Sequence, residues 1–441
     1  MVLGESEFTE QATAAESRRG AAPVRRSRFA RLHRGFWGFA DQGVVSASSF
    51  VWGIILARTL SEDDFGRFVI IISVVLLLNS FHAAFVAYPL AVRGAPAKRA
   101  GLQRLFSSAL CFSAVLIGPQ IVSSLLLAAV LHVLPLAGWI LATQCLWQLQ
   151  ETTRKALITQ QRFGAALWGD GLRHVGQVAV MLVLARWGML SIANTLLTMA
   201  VAALAGALVQ VFQTGLAPVT RQELREDART FYYLGRWIFL SNVVGLGQLI
   251  SGQWMLGIFQ GLDDVAMAGA LDQLVKPTTP VMTATGDLIL AGTAQARHHH
   301  GLGVALRTAL IYATLAMGLV LPLLVVLTVW PTLALHLAYG GRFAGLESVL
   351  RLWVVNTALA CVVRIGVSLL SALEQNRRIF FTQVVMTMTA VLLGIPLVWR
   401  LGIYGYVWAA ILSSVAGLIT FIPLVRKAHQ HDVFRATPVL D

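Results

Sequence analysis

The stretch Phe39–Phe68, FADQGVVSASSFVWGIILARTLSEDDFGRF, decides the fold. It carries one apolar run, then the charged turn Ser61–Glu62–Asp63–Asp64, then the start of a second apolar run. About twenty mostly apolar residues cross a bilayer as one helix. Asp41 lies about one turn inside the first run, where insertion scales put the cost of a carboxylate at roughly 2.5–3.5 kcal/mol. Such an acid needs a partner, a wet cavity or a function. At about 100° per residue, Asp41, Val45, Ser48 and Trp52 share one stripe, which is predicted to look into protein or water.

The rest of the chain has the same character. Of 441 residues 57% are hydrophobic and 12% charged, with a mean hydropathy of +0.71. Soluble domains carry about 25% charged residues, so the composition predicts an all-α polytopic membrane protein. Apolar windows fall at 36–57, 68–92, 105–132, 137–158, 165–185, 190–213, 236–259, 266–290, 304–329, 346–370, 379–399 and 404–425. They predict about twelve transmembrane helices in two related six-helix lobes around a central cavity. The expected organisation is a basic tail (1–35), an N-lobe of spans 1–6 (36–214), an amphipathic linker (215–235), a C-lobe of spans 7–12 (236–425) and a C-terminal tail (426–441).

The net charge of +13 is not a nucleic-acid signature, because the charges alternate with the spans. Most of the 34 Lys and Arg fall in the two tails and in alternate loops, whereas Arg58, Arg67, Arg186, Arg342 and Arg400 fall at the opposite face. The positive-inside rule therefore predicts cytosolic termini. The basic tail shows neither the short apolar core nor the cleavage site of a signal peptide, and weak adhesion to the anionic leaflet is expected of it. Loops on the outer side are expected to be very short. Cys111, Cys145 and Cys361 lie in apolar runs without C-x-x-C spacing, so no disulfide framework or metal site follows. No P-loop, H-E-x-x-H or Rossmann glycine run is present, and no enzymatic activity is expected.

In the linker, Thr220 and Glu223 have capping-box spacing, and Leu224, Ala228 and Phe231 stack above Arg221, Arg225 and Arg229, which predicts a short helix lying on the inner leaflet. A shift of 200 residues lays Asp63–Asp64–Phe65 on Asp263–Asp264–Val265, each turn following the first span of its half. Charges recur inside the spans. Asp170, Arg173 and His174 share one face of span 5, Asp272 and Lys276 stand one turn apart in span 8 with Asp287 returning to the same side, and Glu347 and Arg351 pair in span 10. Internal pairing that only holds the bundle together accounts for such i, i+4 pairs as well as a substrate site does. The functional reading is a positive lining made by Arg173, Lys276 and Arg351. Arg364 lies about 220° round the helix from Arg351, so the two cannot face one cavity on a continuous helix. Pro277 and Pro280 break span 8 at mid-depth, where irregular backbone is tolerated if it lines a cavity. Ser241, Gly245, Gln248 and Gly252 form a small, polar stripe on span 7, which close helix packing explains as readily as a substrate path. The run His298–His300 reads as solvated.

The run Ala40–Phe68 resembles the start of bacterial polysaccharide transporters, the Wzx-type flippases of the multidrug/oligosaccharidyl-lipid/polysaccharide exporter superfamily. The residues that carry the resemblance are Leu56–Ala57–Arg58–Thr59–Leu60 and Phe65–Gly66–Arg67–Phe68. In the second half Val265–Ala266–Met267–Ala268 lacks the glycine that often follows the corresponding turn. The resemblance implies a flippase that moves a polyprenyl-diphosphate-linked oligosaccharide from the inner to the outer leaflet of the bacterial cytoplasmic membrane by alternating access. It implies lipid-linked oligosaccharide and membrane lipids as partners, with polysaccharide polymerase and glycosyltransferases as further ones, and no nucleic acid.

On this reading spans 1, 2, 7 and 8 line the cavity. Arg173, Lys276, Arg351, Asp170, His174, Asp272, Ser48 and Trp52 are its candidate residues, and Asp41 is the candidate coupling or gating acid. No cofactor or metal is expected, and coupling to an H+ or Na+ gradient is left open. Two alternatives stand beside it: a cation-coupled drug antiporter of the same superfamily, which would want an acid-dominated cavity, and a non-transporting scaffold of a polysaccharide synthesis complex.

Overall fold

A backbone inside hydrocarbon must satisfy its own N–H and C=O groups, and an α-helix does so within a single segment. The computed structural model describes residues 28–94, 97–373 and 375–435, and every regular element among them is helical. Helix α1 (Arg28–Thr59) precedes a rod built from α2 (Glu62–His82), one π-helical turn (Ala83–Ala87) and α3 (Tyr88–Gly94). Next come α4 (Arg99–Val115) and α5 (Ile117–Val130), joined at Leu116 just ahead of Pro119, then α6 (Ala137–Thr159), α7 (Phe163–Arg186) and α8 (Ile192–Thr214). The second half holds α9 (Arg221–Phe259), α10 (Leu262–Val275), α11 (Thr278–Val329), α12 (Pro331–Tyr339), α13 (Glu347–Ala372), α14 (Asn376–Leu401) and α15 (Ile403–Arg435).

Seven stretches of the described residues are long and apolar enough to cross a membrane by themselves: α2–α3, α4–α5, α8, residues 303–329 of α11, α13, α14 and α15. Helix α10, at 14 residues, is too short for that set, and α1, α6, α7 and α9 also fall outside it. In the N-lobe α1 packs on α7, α6 on α8 and α7 on α8; in the C-lobe α11 packs on α13, and α14 on both α9 and α15. The lobes meet where α2 packs on α10 and where α9 runs along the π-helical turn.

The two acidic turns that suggested a repeat each open one of the facing helices. Ser61 caps α2 by accepting from the Asp64 N–H at 3.1 Å, and Asp63–Asp64 and Asp263–Asp264 stand in the first turns of α2 and α10, where a carboxylate complements the helix dipole. The contact between these helices is backbone-close. A Cβ on Gly66 would stand 2.1 Å from the Leu262 carbonyl oxygen, and one on Gly269 would stand 2.6 Å from a Val69 methyl.

Four sequence-based expectations change. The linker is not a separate surface helix: Thr220 and Glu223 do form a capping box, but it starts a continuous 39-residue helix that runs on into span 7. The Thr220 N–H bond draws the Glu223 carboxyl below the usual carboxylate range. The inward face of this helix is fixed to α4 by Ser108 donating to Asp227 at 2.7 Å and by Arg104 between Glu223 and Asp227.

The expected loop near 291–303 is helical. Twenty residues of straight helix cover about 30 Å, yet a Cβ on Gly292 would stand 2.7 Å from the Tyr312 ring, so α11 folds back on itself between them. One connection expected to be very short, 330–346, instead carries α12 and a three-glycine turn at Gly340, Gly341 and Gly345, all with positive φ. Residues 28–35 and 426–435 continue α1 and α15 rather than forming tails. The remainder of both tails, 1–27 and 436–441, and the side chains of Ser241, Asp287 and His298–His300 lie outside the described residues.

The close crossing at the α14–α15 turn supplies a test. A Cβ on Gly405 would stand 2.0 Å from the Leu397 carbonyl oxygen, whereas one on Gly247 would meet nothing within 4 Å. Gly405→Ala is expected to cost at least about 1–3 kcal/mol as an overpacked site, read as a lowered unfolding temperature in detergent. Gly247→Ala is expected to leave that temperature unchanged or slightly raised.

Candidate functional site

The break in span 8 shapes the site. Pro277 cannot donate to the Gln273 carbonyl, and Pro280 cannot donate to that of Lys276. Two shorter-range bonds replace the missing ones: Lys276 N–H to Gln273 O at 3.3 Å and Thr279 N–H to Lys276 O at 3.0 Å. The tight turn between α10 and α11 thus satisfies its own carbonyls and turns Lys276 toward a cavity of about 860 Å³. The N-lobe contributes α1 and α2 to the cavity wall; the C-lobe contributes α9, α10, α11, α13, α14 and α15.

Among the described residues the charged side chains on this wall are Asp272, Lys276 and Arg364. The Lys276 ammonium donates to Gln273 Oε1 at 3.2 Å and stands 5.1 Å from the ring centroid of Trp52, a cation–π contact across the lobes. Asp272 accepts from Gln253 Nε2 at 3.3 Å, and no ion pair joins it to Lys276. Arg364 donates to Thr283 Oγ1 at 2.9 Å. Gln248, Gln253, Asn356 and Gln383 add amides to the wall, and Trp353 stacks on Tyr406 at 5.1 Å. Between the lobes, the Gln273 amide donates to the Ser49 carbonyl at 2.8 Å. It reaches α1 through the notch left by Gly53, where a Cβ would stand 1.5 Å from the amide nitrogen.

A second polar cluster fills the N-lobe. Arg154, near the end of α6, donates through Nη2 to Asp41 Oδ2 and through Nε to Asp170 Oδ2, both at 2.6 Å. One planar guanidinium thereby joins α1, α6 and α7, and its fork geometry suits two carboxylates at once. Asp170 also accepts from Gln150 at 2.6 Å and Gln210 at 3.0 Å. Arg173 donates to Gln150 Oε1 and lies 4.6 Å over the Trp147 ring. With Glu151 3.7 Å from Arg154, three carboxylates meet the Arg154 guanidinium, and among the described residues Asp41 Oδ1 has no hydrogen-bond partner. Beside this cluster the buried His82 ring meets Ser113 Oγ at 2.9 Å and Thr152 Oγ1 at 3.1 Å.

The structure therefore divides the sequence-predicted residues. Lys276, Asp272 and Trp52 line the cavity. Asp41, Asp170, Arg173 and His174 belong to the N-lobe interior, and Ser48 is buried off the cavity wall. Arg351 is exposed, with its Nε donating to the Thr328 carbonyl at 3.3 Å. The positive lining expected from Arg173, Lys276 and Arg351 is thus not formed, because the three side chains leave their helices in different directions. Arg364 takes the place expected for Arg351. The angular separation between the two holds; it is the inner arginine, not the outer one, that faces the cavity. Sequence alone misses Arg154, which stands near the end of the 137–158 window and is grouped there with the adjoining loop charges, although Gln148, Gln150, Glu151, Thr152 and Thr153 on the same span mark a helix that is not facing lipid. His82 leaves only the signal of a single histidine in an apolar run.

No family model matches the sequence, and neither does any curated protein. Solved structures do share the fold. An inward-facing conformation of a multidrug resistance MATE family transporter of the MOP superfamily matches with a TM-score of 0.73 at 13% identity, over 88% of this chain and 95% of that one. Lipid II flippase MurJ in an inward closed conformation matches with a TM-score of 0.67 at 12% identity, over 90% of this chain and 87% of that one. An outward-facing conformation of a MATE family transporter matches at 0.63 and 13% identity, over 89% and 94%. The chain has the two-lobed helical fold of these MOP superfamily transporters.

The N-lobe cluster predicts a stability pattern. Removing one partner of a buried ion pair typically costs about 3–5 kcal/mol, so Arg154→Met is expected to lower the unfolding temperature sharply. Adding Asp41→Asn and Asp170→Asn to that variant is expected to recover most of the loss, as measured by fluorescence-detected thermal unfolding.

Proposed function

We propose that this protein is a flippase that carries a polyprenyl-diphosphate-linked oligosaccharide from the cytoplasmic to the outer leaflet of a bacterial inner membrane, for exopolysaccharide, capsule or O-antigen synthesis. The observation that carries this reading is the basic balance of the cavity among the described residues: Lys276 and Arg364 against the carboxylate of Asp272. A diphosphate cannot cross hydrocarbon unaided, and guanidinium and ammonium groups on a wet path replace the water it would lose. The amides of Gln248, Gln253, Asn356 and Gln383 offer both donors and acceptors, which is what a sugar's hydroxyl groups require. The volume, about 860 Å³, is near the upper end of small-molecule sites, roughly 300–1,000 Å³. A fold shared with a lipid II flippase supports the same class of cargo.

In this reading the face that carries the termini is cytosolic, and α2 and α10 seal the opposite side. An H+ or Na+ gradient supplies the energy, and the N-lobe cluster, with three carboxylates around the Arg154 guanidinium, is where a coupling cation acts. Among the described residues Asp41 is the acid in it with an unpartnered oxygen. A drug-cation exporter would need the opposite charge balance in the cavity. Polymerase and glycosyltransferases act before and after this step.

Deletion of the protein is expected to leave labelled polyprenyl-linked glycan in the inner leaflet; normal outer-leaflet delivery without it would overturn the reading. Lys276→Ala and Arg364→Ala are each expected to lower export on the order of tenfold, the value of a charge-assisted hydrogen bond or two, at unchanged protein amount. Arg173→Ala, which empties a structural position, is expected to lower the protein amount instead. Immunoblots run beside the export assay separate the two effects.

A further inference from the structure

The last carbonyls of a helix have no partner within it. In α12 four are in this position, and each is accounted for. Gly340 N–H donates to His336 O at 2.7 Å, and Arg342 N–H donates to Tyr339 O at 3.3 Å. The remaining two, Leu337 O and Ala338 O, accept from the guanidinium of Arg58, which belongs to the other lobe. The exchange runs both ways. At the end of α1 the Leu56 carbonyl is taken by Leu60 N–H at 2.9 Å, and the next one, Ala57 O, accepts from Arg342 Nη1 at 3.0 Å. Arg342 Nε also lies 3.7 Å from Glu62.

Each lobe therefore caps a helix C-terminus of the other with an arginine, in the end where the helix dipole favours a cation. Both arginines lie in one patch beside the start of α2, the helix that packs on α10, at the face opposite the termini. Arg58 is exposed, and the donors reach carbonyls about 280 positions away, so neither bond is needed to build a helix within its own lobe. Short helix α12 is held over that face by the same contacts and by Tyr339, whose hydroxyl donates to the Ala270 carbonyl of α10 at 2.7 Å.

We propose that Arg58 and Arg342 are a reciprocal latch that holds the lobes together at the face opposite the termini, and that both bonds break when that face opens. The proposal rests on the alternating-access reading but not on the nature of the cargo. Opening the latch exposes each set of carbonyls to water, so the energetic difference between the two states is set by three charge-assisted bonds and is tunable by either arginine.

The test is a pulsed electron–electron distance measurement on the full-length protein in lipid nanodiscs. Spin labels are placed at Met189 and Leu401, exposed positions at that face on different lobes, after replacement of the three native cysteines. A second pair, Leu134 and Met189, lies within the N-lobe. Arg58→Gln and Arg342→Gln are each expected to raise the ratio of long to short inter-lobe distances on the order of tenfold, from the loss of one or two charge-assisted bonds. Arg58→Lys, which retains the charge but not the fork, is expected to give an intermediate ratio. The N-lobe pair is expected not to change. Gly269→Leu, a wedge driven against Val69, supplies a positive control for opening. If the wedge lengthens the inter-lobe distance and neither arginine variant does, the latch is overturned while alternating access stands. A wedge without effect overturns both. A change in the N-lobe pair on loss of Arg58 overturns the latch in favour of a role in folding.

Discussion

A carboxylate in hydrocarbon has to be neutralised from within the protein, and here one guanidinium neutralises two. Arg154 ties Asp41 on α1 to Asp170 on α7 from its own position on α6. Three helices of the N-lobe are thereby registered against one another at the depth where their polar faces meet. The glutamines around it do the remaining work: Gln150 and Gln210 saturate Asp170, and Gln150 in turn receives Arg173. A buried network of this kind is stabilising only when nearly every member is satisfied. The polar residues of α6 and α7 are the reason those helices do not read as simple apolar spans.

The C-lobe handles its polar groups in the opposite way. Asp272, Lys276 and Arg364 make few direct contacts and face a shared cavity, and the backbone at Pro277 is broken so that Lys276 can do so. The halves have related outlines, with acidic turns opening α2 and α10, but unlike interiors. One interior is closed on itself; the other is open to a ligand. The proposed function uses both, since a moving wall must keep its shape while a binding wall must leave its charges unspent.

The motif that marks the beginning of the chain acquires a physical meaning in this setting. Leu56 and Phe68 are core residues, Gly66 is required because the Leu262 carbonyl oxygen occupies the space a side chain would take, and Arg58 reaches the carbonyls of α12. All of these act where the two lobes close. Ala266, which stands at the position equivalent to Gly66 in the second turn, is itself fully buried. The glycine that opens the crossing on the α10 side is Gly269, where a Cβ would stand 2.6 Å from a Val69 methyl.

Features that depend on neighbours along the chain are legible in the sequence itself. Hydropathy locates seven stretches able to cross a membrane among the described residues, Thr220 and Glu223 announce a capping box, Pro277 and Pro280 announce the break, and the angle between Arg351 and Arg364 excludes a shared cavity. Each rests on a period or a missing N–H, which are local. Partners are not legible, because they are set by which helix lies beside which. Arg154 reads as a loop residue until α1 and α7 lie against it. Arg173 reads as a cavity residue until Gln150 and Trp147 surround it, and Arg351 until its helix is rotated toward the exterior. The pairing of Arg58 with α12 joins segments about 280 residues apart, a distance over which no periodicity carries information; only the packing of the two lobes decides it.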